Sequence, residues 1–161
     1  MNNKNTLFTR RSTAEQVTEG IDLNGKTVLI TGVNSGLGFE SMRILAICGA
    51  HIIAAARSLA KAEQACAEVK TLVQGATMTP VACELSEPDS VLACVKAVQE
   101  KFTAIDILMA NAGIMSPATL QIANGYAQPL EMQFATNHIG HFLLINHLLP
   151  QLKNAQQGRI V

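Results

Sequence analysis

Thr31-Gly32-Val33-Asn34-Ser35-Gly36-Leu37-Gly38 is a T-G-x-x-x-G-x-G run set between two patterns of different period. Before it, residues 26–31 (KTVLIT) follow an Asn24-Gly25 turn and are rich in β-branched side chains, which predicts a short buried strand. After it, Phe39, Met42, Leu45 and Ala46 recur at helical spacing over residues 37–48, and Gly49 stands where a helix C-cap belongs. A glycine-rich turn between strand and helix has a physical use. Gly32 permits the tight turn, Gly36 lets the backbone approach a ligand, and Gly38 allows the helix to pack close to the strand. With Asn34, Ser35 and Leu37 completing the loop, the unpaired N–H groups at the helix start face a diphosphate, and the helix dipole favours its charge. The plainer alternative is an ordinary glycine-rich turn. No Lys-Ser/Thr pair follows the last glycine, so the run is not the phosphate loop of a nucleotide kinase or NTPase.

The same alternation of patterns extends along the chain. Thr13 with Gln16 forms a capping-box signature for a short helix over residues 14–19 that ends at Gly20. Residues 51–56 (HIIAAA) predict a second strand, and Ser58 caps a helix with Leu59, Ala62, Ala65, Cys66, Val69, Leu72 and Val73 on one stripe. Residues 79–83 predict a weak third strand. Ser86-Glu87-Pro88-Asp89 then starts a helix carrying Val91, Leu92, Val95 and Val98, with Phe102 beyond. Residues 105–110 (IDILMA) predict a fourth strand, residues 116–128 a loop, and residues 130–149 a long helix that Pro150 ends or kinks. Residues 159–161 open a fifth strand. Continuous apolar strands, each followed by a helix, predict a doubly wound parallel α/β sheet covered on both faces, with ligands at the carboxyl ends near the switch between strands one and four. The expected organisation is a flexible segment with a short helix over residues 1–21 and one domain over residues 22–161, cut at the start of its fifth strand.

Composition narrows the function classes. Of 161 residues, 48% are hydrophobic and 15% charged, which excludes a disordered chain. Twelve basic and twelve acidic residues leave no net charge, so no basic field draws in nucleic acid or an anionic membrane. Cys48, Cys66, Cys83 and Cys94 form no C-x-x-C pair and read as reduced core fillers of a cytoplasmic protein. Arg10-Arg11-Ser12-Thr13 is a faint transit-peptide feature, countered by Glu15 and Glu19. His138, His141 and His147 lie near one another in sequence but lack acidic or cysteine companions, so no metal site is expected. Met109, Met115 and Met132 read as pliable core filler.

Arg57 lies 19 residues past Gly38, where an NAD-binding sheet carries an acid for the ribose 2′-hydroxyl. A guanidinium there, with the Ser58 hydroxyl as helper, would pair with a 2′-phosphate, so the expected cofactor is NADP(H). The alternative is a solvated arginine at a strand end.

These motifs, in this order, resemble the short-chain dehydrogenase/reductase family, and specifically its retinol-dehydrogenase-like and protochlorophyllide-reductase-like members. The resemblance covers residues 22–161. It rests on residues 25–32 (GKTVLITG), Arg57, Glu84-Leu85-Ser86, Asn111-Ala112-Gly113 and Asn137-His138-Ile139-Gly140-His141-Phe142. It implies that Glu84, where the family usually has Asp, accepts a hydrogen bond from the adenine amino group, with Leu85 beside it in the cofactor site. It further implies that Asn111 ties neighbouring strands together while Ala112 and Gly113 admit the cofactor. Asn137 matches the family's catalytic asparagine, which holds a water in a proton relay to the active-site lysine. Exposed-surface and dipole readings of Glu84 and Asn137 stay open beside these.

The family transfers hydride between the nicotinamide and a carbonyl or alcohol, using a serine and a Y-x-x-x-K pair, and assembles as homodimers or homotetramers on its long helix. Here the sole tyrosine, Tyr126, is followed four positions later by Leu130, and the expected serine would lie beyond Val161. The expectation is an N-terminal fragment of an NADP-dependent oxidoreductase, inactive alone. The alternatives are a non-catalytic NADP-binding or sensor module and a flavodoxin-like domain without a pyridine nucleotide.

Overall fold

The computed structural model describes residues 8–161. Its main sheet is built from β1 (Thr27–Thr31), β2 (His51–Ala56), β3 (Met78–Ala82), β4 (Ile107–Met109) and β7 (Arg159–Ile160). They lie in the order β3-β2-β1-β4-β7 with every pairing parallel. This is the expected doubly wound, Rossmann-type sheet, and the strand order reverses between β1 and β4, opening a crevice at their carboxyl ends. Between the strands run α2 (Gly36–Ile47), α3 (Leu59–Leu72) and α4 (Pro88–Gln99).

Two apolar cores cover the two faces. Val28, Ile30, Ile52 and Ala54 pack with Met42, Ala62, Cys66 and Val69 on the α2/α3 face. On the other face Leu29, Ile53 and Leu108 pack with Val91, Val95, Leu144 and Leu148. Alternate residues of each strand serve opposite cores, which is why the strands are apolar throughout. At the amino ends, Asp106 accepts from Lys26 Nζ and from the Thr27 N–H, both at 2.9 Å, fixing β1 against the approach to β4.

The short N-terminal helix, α1 (Ala14–Val17), carries the expected capping box, with Thr13 N donating to Gln16 Oε1 at 2.9 Å. Glu15 receives Arg43 of α2 at 2.7 Å. Residues 1–7 of the segment expected to be flexible lie outside the described residues.

Several local expectations need correction. Helix α4 starts at Pro88 with Glu87 at the N-cap position, not at Ser86, because the Ser86 hydroxyl donates to Glu84 instead. Leu59 and Leu72 sit at the ends of α3 and Leu92 lies on the outer side of α4, and all three are exposed rather than part of the buried stripes. The loop over residues 116–128 contains a strand, β5 (Ile122–Ala123), that pairs antiparallel with β6 (Leu130–Glu131). The long helix therefore begins later, as α5 (Met132–Phe134), a π-helical stretch (Ala135–Gly140) and α6 (His141–Asn154). It also runs through Pro150. The carbonyl that Pro150 leaves without its helical partner belongs to Asn146, an exposed residue, while buried Leu144, Leu148 and Leu152 hold the helix down. All four cysteines are free and buried.

Candidate functional site

A cleft of about 600 Å³ opens at the carboxyl ends of β1, β2, β3 and β4, a volume in the range of small-molecule sites. Its floor is the glycine loop. Gly32 has a φ of +73°, and a side chain there would meet Ala112 Cα at 2.9 Å. A side chain at Gly38 would collide with the Gly32 carbonyl and with Asn111 Nδ2. Both positions therefore exclude anything larger than glycine, as the spacing predicts. Ser35 stands at the N-cap of α2 without capping it through its hydroxyl, so the first-turn N–H groups of α2 lack a side-chain partner there. Gly36 has a φ of +59° and open space where a Cβ would be. Asn34, Ser35 and Leu37 line the cleft with Gly32 and Gly38, and Leu37 is 82% exposed at its mouth.

Arg57 lines the cleft just after β2, exposed, and forms no ion pair among the described residues. Ser58 is not in the lining. Its hydroxyl caps α3 by accepting from Lys61 N at 3.4 Å. After β3, the Glu84 carboxylate accepts from the Ser86 hydroxyl at 2.8 Å and the Ser86 N–H at 3.1 Å, while the Glu84 N–H donates to Ser90 at 2.9 Å. Folding back onto Ser86 absorbs the extra methylene of glutamate and leaves the carboxylate at the cleft wall. Leu85 is buried there, and Cys83 beside it is kept protonated, its pKa pushed far up by the Cys94 thiol and by burial.

The loop after β4 closes the other side. Asn111 Nδ2 donates to the Thr31 carbonyl at 2.9 Å, and Ala112 N donates to the Thr31 hydroxyl at 3.0 Å. Asn137 does not line the cleft and is exposed, yet its amide grips the same loop twice. Ile114 N donates to Asn137 Oδ1 at 2.9 Å, and Asn137 Nδ2 donates to the Ile114 carbonyl at 2.8 Å. Asn137 sits in the π-helical stretch, a distortion that often marks functional sites. At the end of that stretch Gly140 is pressed against Leu85, leaving no room for a side chain.

Thr31, Gln121, Met132 and Thr136 also line the cleft and were not legible as site residues. Thr31 hides at the end of an apolar strand, and the others are carried in by the loop and helix that β5 and β6 organise. Of the methionines expected in the core, Met132 lines the cleft and Met115 is 88% exposed, because its loop lies outside the sheet. The histidines diverge: His138 stacks on Phe134 at a ring separation of 5.3 Å, whereas His141 is buried against Thr31.

A dinucleotide fits what is present: a helix start without a side-chain cap, a glycine floor, a guanidinium at the rim with no ion pair among the described residues, and a carboxylate in the lining after the neighbouring strand β3. Comparison with known proteins agrees with this geometry. Residues 26–161 match the family model described as short chain dehydrogenase. The chain is 38% identical over 155 residues to the chloroplastic short-chain dehydrogenase TIC 32 B of Brassica napus, covering 93% of this chain and 47% of that protein. It is 34% identical over 144 residues to retinol dehydrogenase 11 of Homo sapiens, covering 89% of this chain and 44% of that protein. The chain thus spans about half the length of these curated relatives. Among solved structures it resembles L-sorbose reductase from Gluconobacter frateurii, complexed with NADPH and L-sorbose, with a TM-score of 0.69 and 26% identity over 87% of this chain and 52% of that one. A fold built around a glycine-floored crevice, and a match running through nearly all of that fold, place the chain in the short chain dehydrogenase family.

Proposed function

We propose that this chain is the NADP(H)-binding half of an oxidoreductase that moves a hydride between the nicotinamide and a carbonyl or alcohol substrate. The observation that carries the reading is Arg57, an exposed cation at the rim of a glycine-floored cleft with no carboxylate partner among the described residues. Its position is that of the residue that distinguishes a 2′-hydroxyl from a 2′-phosphate. The NADPH complex of L-sorbose reductase supports the same cofactor.

In this reading the N–H groups at the start of α2 hold the diphosphate and Arg57 binds the 2′-phosphate. Glu84 and Leu85 bound the adenine side, and Ala112 and Gly113 bound the ribose side. When bound, the coenzyme supplies or accepts the two electrons of the reaction. The chain's own contribution to proton transfer is limited. Asn137 fixes the loop beside the cofactor and stands where the family holds a relay water, but no Y-x-x-x-K pair occurs in the 161 residues. The isolated chain therefore binds coenzyme without turning over substrate. A non-catalytic NADP-binding module is the second reading, favoured by the same separation of a formed cleft from an absent proton donor.

The exposed rings of Phe134 and Phe142, before and after the π-helical stretch, support a homodimer or homotetramer. Among the described residues no helix is long and apolar enough to cross a membrane. The cytoplasmic location in this reading is supported by the four free, buried cysteines, while two relatives are named as chloroplastic. Titration calorimetry with NADPH and NADH tests the cofactor, and the expected result is selective binding of NADPH. Equal binding of the two would remove the role of Arg57, and no heat with either would remove the reading. A panel of aldehydes and ketones tests turnover, and a rate above background would overturn the predicted inactivity of the isolated chain.

A further inference from the structure

Two separate clamps hold the 111–114 loop, Thr31 at Ala112 and Asn137 at Ile114. One side chain joins them. His141 Nε2 lies 2.9 Å from the Thr31 hydroxyl, and His141 Nδ1 lies 3.2 Å from the Asn137 carbonyl. Thr31 is 1% exposed and His141 6% exposed, so water does not compete for either contact.

The partners dictate the direction of every bond. A carbonyl oxygen can only accept, so Nδ1 carries the ring proton and donates to Asn137. Burial favours the neutral ring, which leaves Nε2 with a lone pair. The Thr31 hydroxyl, already accepting from the Ala112 N–H, therefore donates to Nε2. Its other acceptor, the Met109 carbonyl at 3.5 Å, is at the limit of a hydrogen bond. Hydrogen bonds run from Ala112 through Thr31 and His141 to the Asn137 backbone carbonyl, and the side-chain amide of the same residue holds Ile114, so the covalent frame of Asn137 closes the circuit around the loop.

We propose that His141 is a positioning residue that couples the two clamps and holds the 111–114 loop in the shape that receives the coenzyme. The inference deepens the NADP(H) reading and rests on it for the identity of the ligand. The circuit itself is testable without ligand.

The experiment compares the 161-residue chain with His141→Phe, which keeps a ring but no polar atom, and with His141→Gln, whose amide reproduces the Nε2 position alone. Residue-resolved amide hydrogen exchange is read at Ala112 and Ile114, with Leu29 and Ile53 as references in the sheet, and NADPH affinity is read by calorimetry. In His141→Phe, exchange at Ala112 and Ile114 rises about tenfold or more while Leu29 and Ile53 are unchanged, and NADPH binds about tenfold more weakly. His141→Gln restores protection at Ala112 but not at Ile114. Should the Phe variant fail to fold, Thr31→Val removes the hydroxyl: its direct donor Ala112 exchanges faster in any case, so the coupling is read at Ile114, where a rise is expected and an unchanged rate overturns it.

Unchanged exchange at both loop amides, or equal loosening of the loop and the reference strands, would overturn the coupling. Selective loosening without loss of NADPH affinity would overturn its role in receiving the coenzyme. If the unmodified chain gives no heat with NADPH, the cofactor reading fails, while the exchange pattern still decides whether His141 joins the clamps.

Discussion

The loops over residues 32–38 and 111–114 leave adjacent parallel strands on the same edge of the sheet, yet they are held by opposite means. The first is shaped by what is missing. At Gly32 and Gly38 the neighbouring backbone fills the space a side chain would take, so absence of a Cβ defines the loop. The second is shaped by what is present: Thr31 and Asn137 grip it through hydroxyl and amide, and His141 stands between them. A steric constraint is nearly all-or-none because a packed interior yields little. A polar clamp is graded, because each net hydrogen bond contributes only about 1 kcal/mol. Substitutions in the two loops should therefore differ in size and in kind.

The largest effect is expected at Gly38→Val. Its side chain would be driven into the Gly32 carbonyl and Asn111, and the variant should lose about 3 kcal/mol or more of stability in urea unfolding. A variant of ordinary stability would show that the glycine loop is as forgiving as the polar one.

Arg57→Glu comes next and separates binding from folding. The side chain is exposed and unpaired among the described residues, so the melting temperature should not move, whereas NADPH affinity should fall about 100-fold and preference over NADH should vanish. Retained preference would move the 2′-phosphate site elsewhere.

Asn137→Ala removes both bonds to Ile114, and a loss of about 1–2 kcal/mol in urea unfolding is expected, with faster exchange confined to the 111–114 loop. Exchange that spreads into β1 would show that the two loops form one unit.

The smallest effect lies at the opposite end of the same two strands. Burial raises the Asp106 carboxyl pKa, but the Thr27 N–H and Lys26 together outweigh it and hold the group below its ordinary 3.8. A lowered folded-state value contributes stability above pH 3.8 that is lost as pH falls through the folded value. Asp106→Asn should flatten that acid limb and reduce stability at neutral pH by at most about 1 kcal/mol, measured by thermal unfolding across pH. An unchanged acid limb would remove Asp106 from the junction of β1 and β4.

The glycine loop was readable because its constraint is local: three glycines, a strand before and a helix after define a turn whatever else the chain does. The apolar runs were equally readable, and they led to the order and type of the main elements and to the position of the crevice. Local pattern failed where a long-range contact competed with it. Ser86 reads as a helix cap and instead bonds Glu84, and of the two readings of Pro150, an end or a kink, the end fails because the helix continues through it, held by Leu148 and Leu152. Residues 116–128 looked featureless because the strand at Ile122–Ala123 exists only through its pairing with Leu130–Glu131.

Period and glycine placement thus sufficed for a doubly wound sheet with a nucleotide cradle, since both follow from backbone sterics and from which face of an element is apolar. The circuit around the 111–114 loop needed the folded chain. Thr31 and His141 are 110 positions apart, and a hydroxyl or an imidazole can satisfy its hydrogen bonds with many partners. Nothing local to either residue selects the other. Packing α6 across the sheet does, by burying both groups within hydrogen-bond reach of each other.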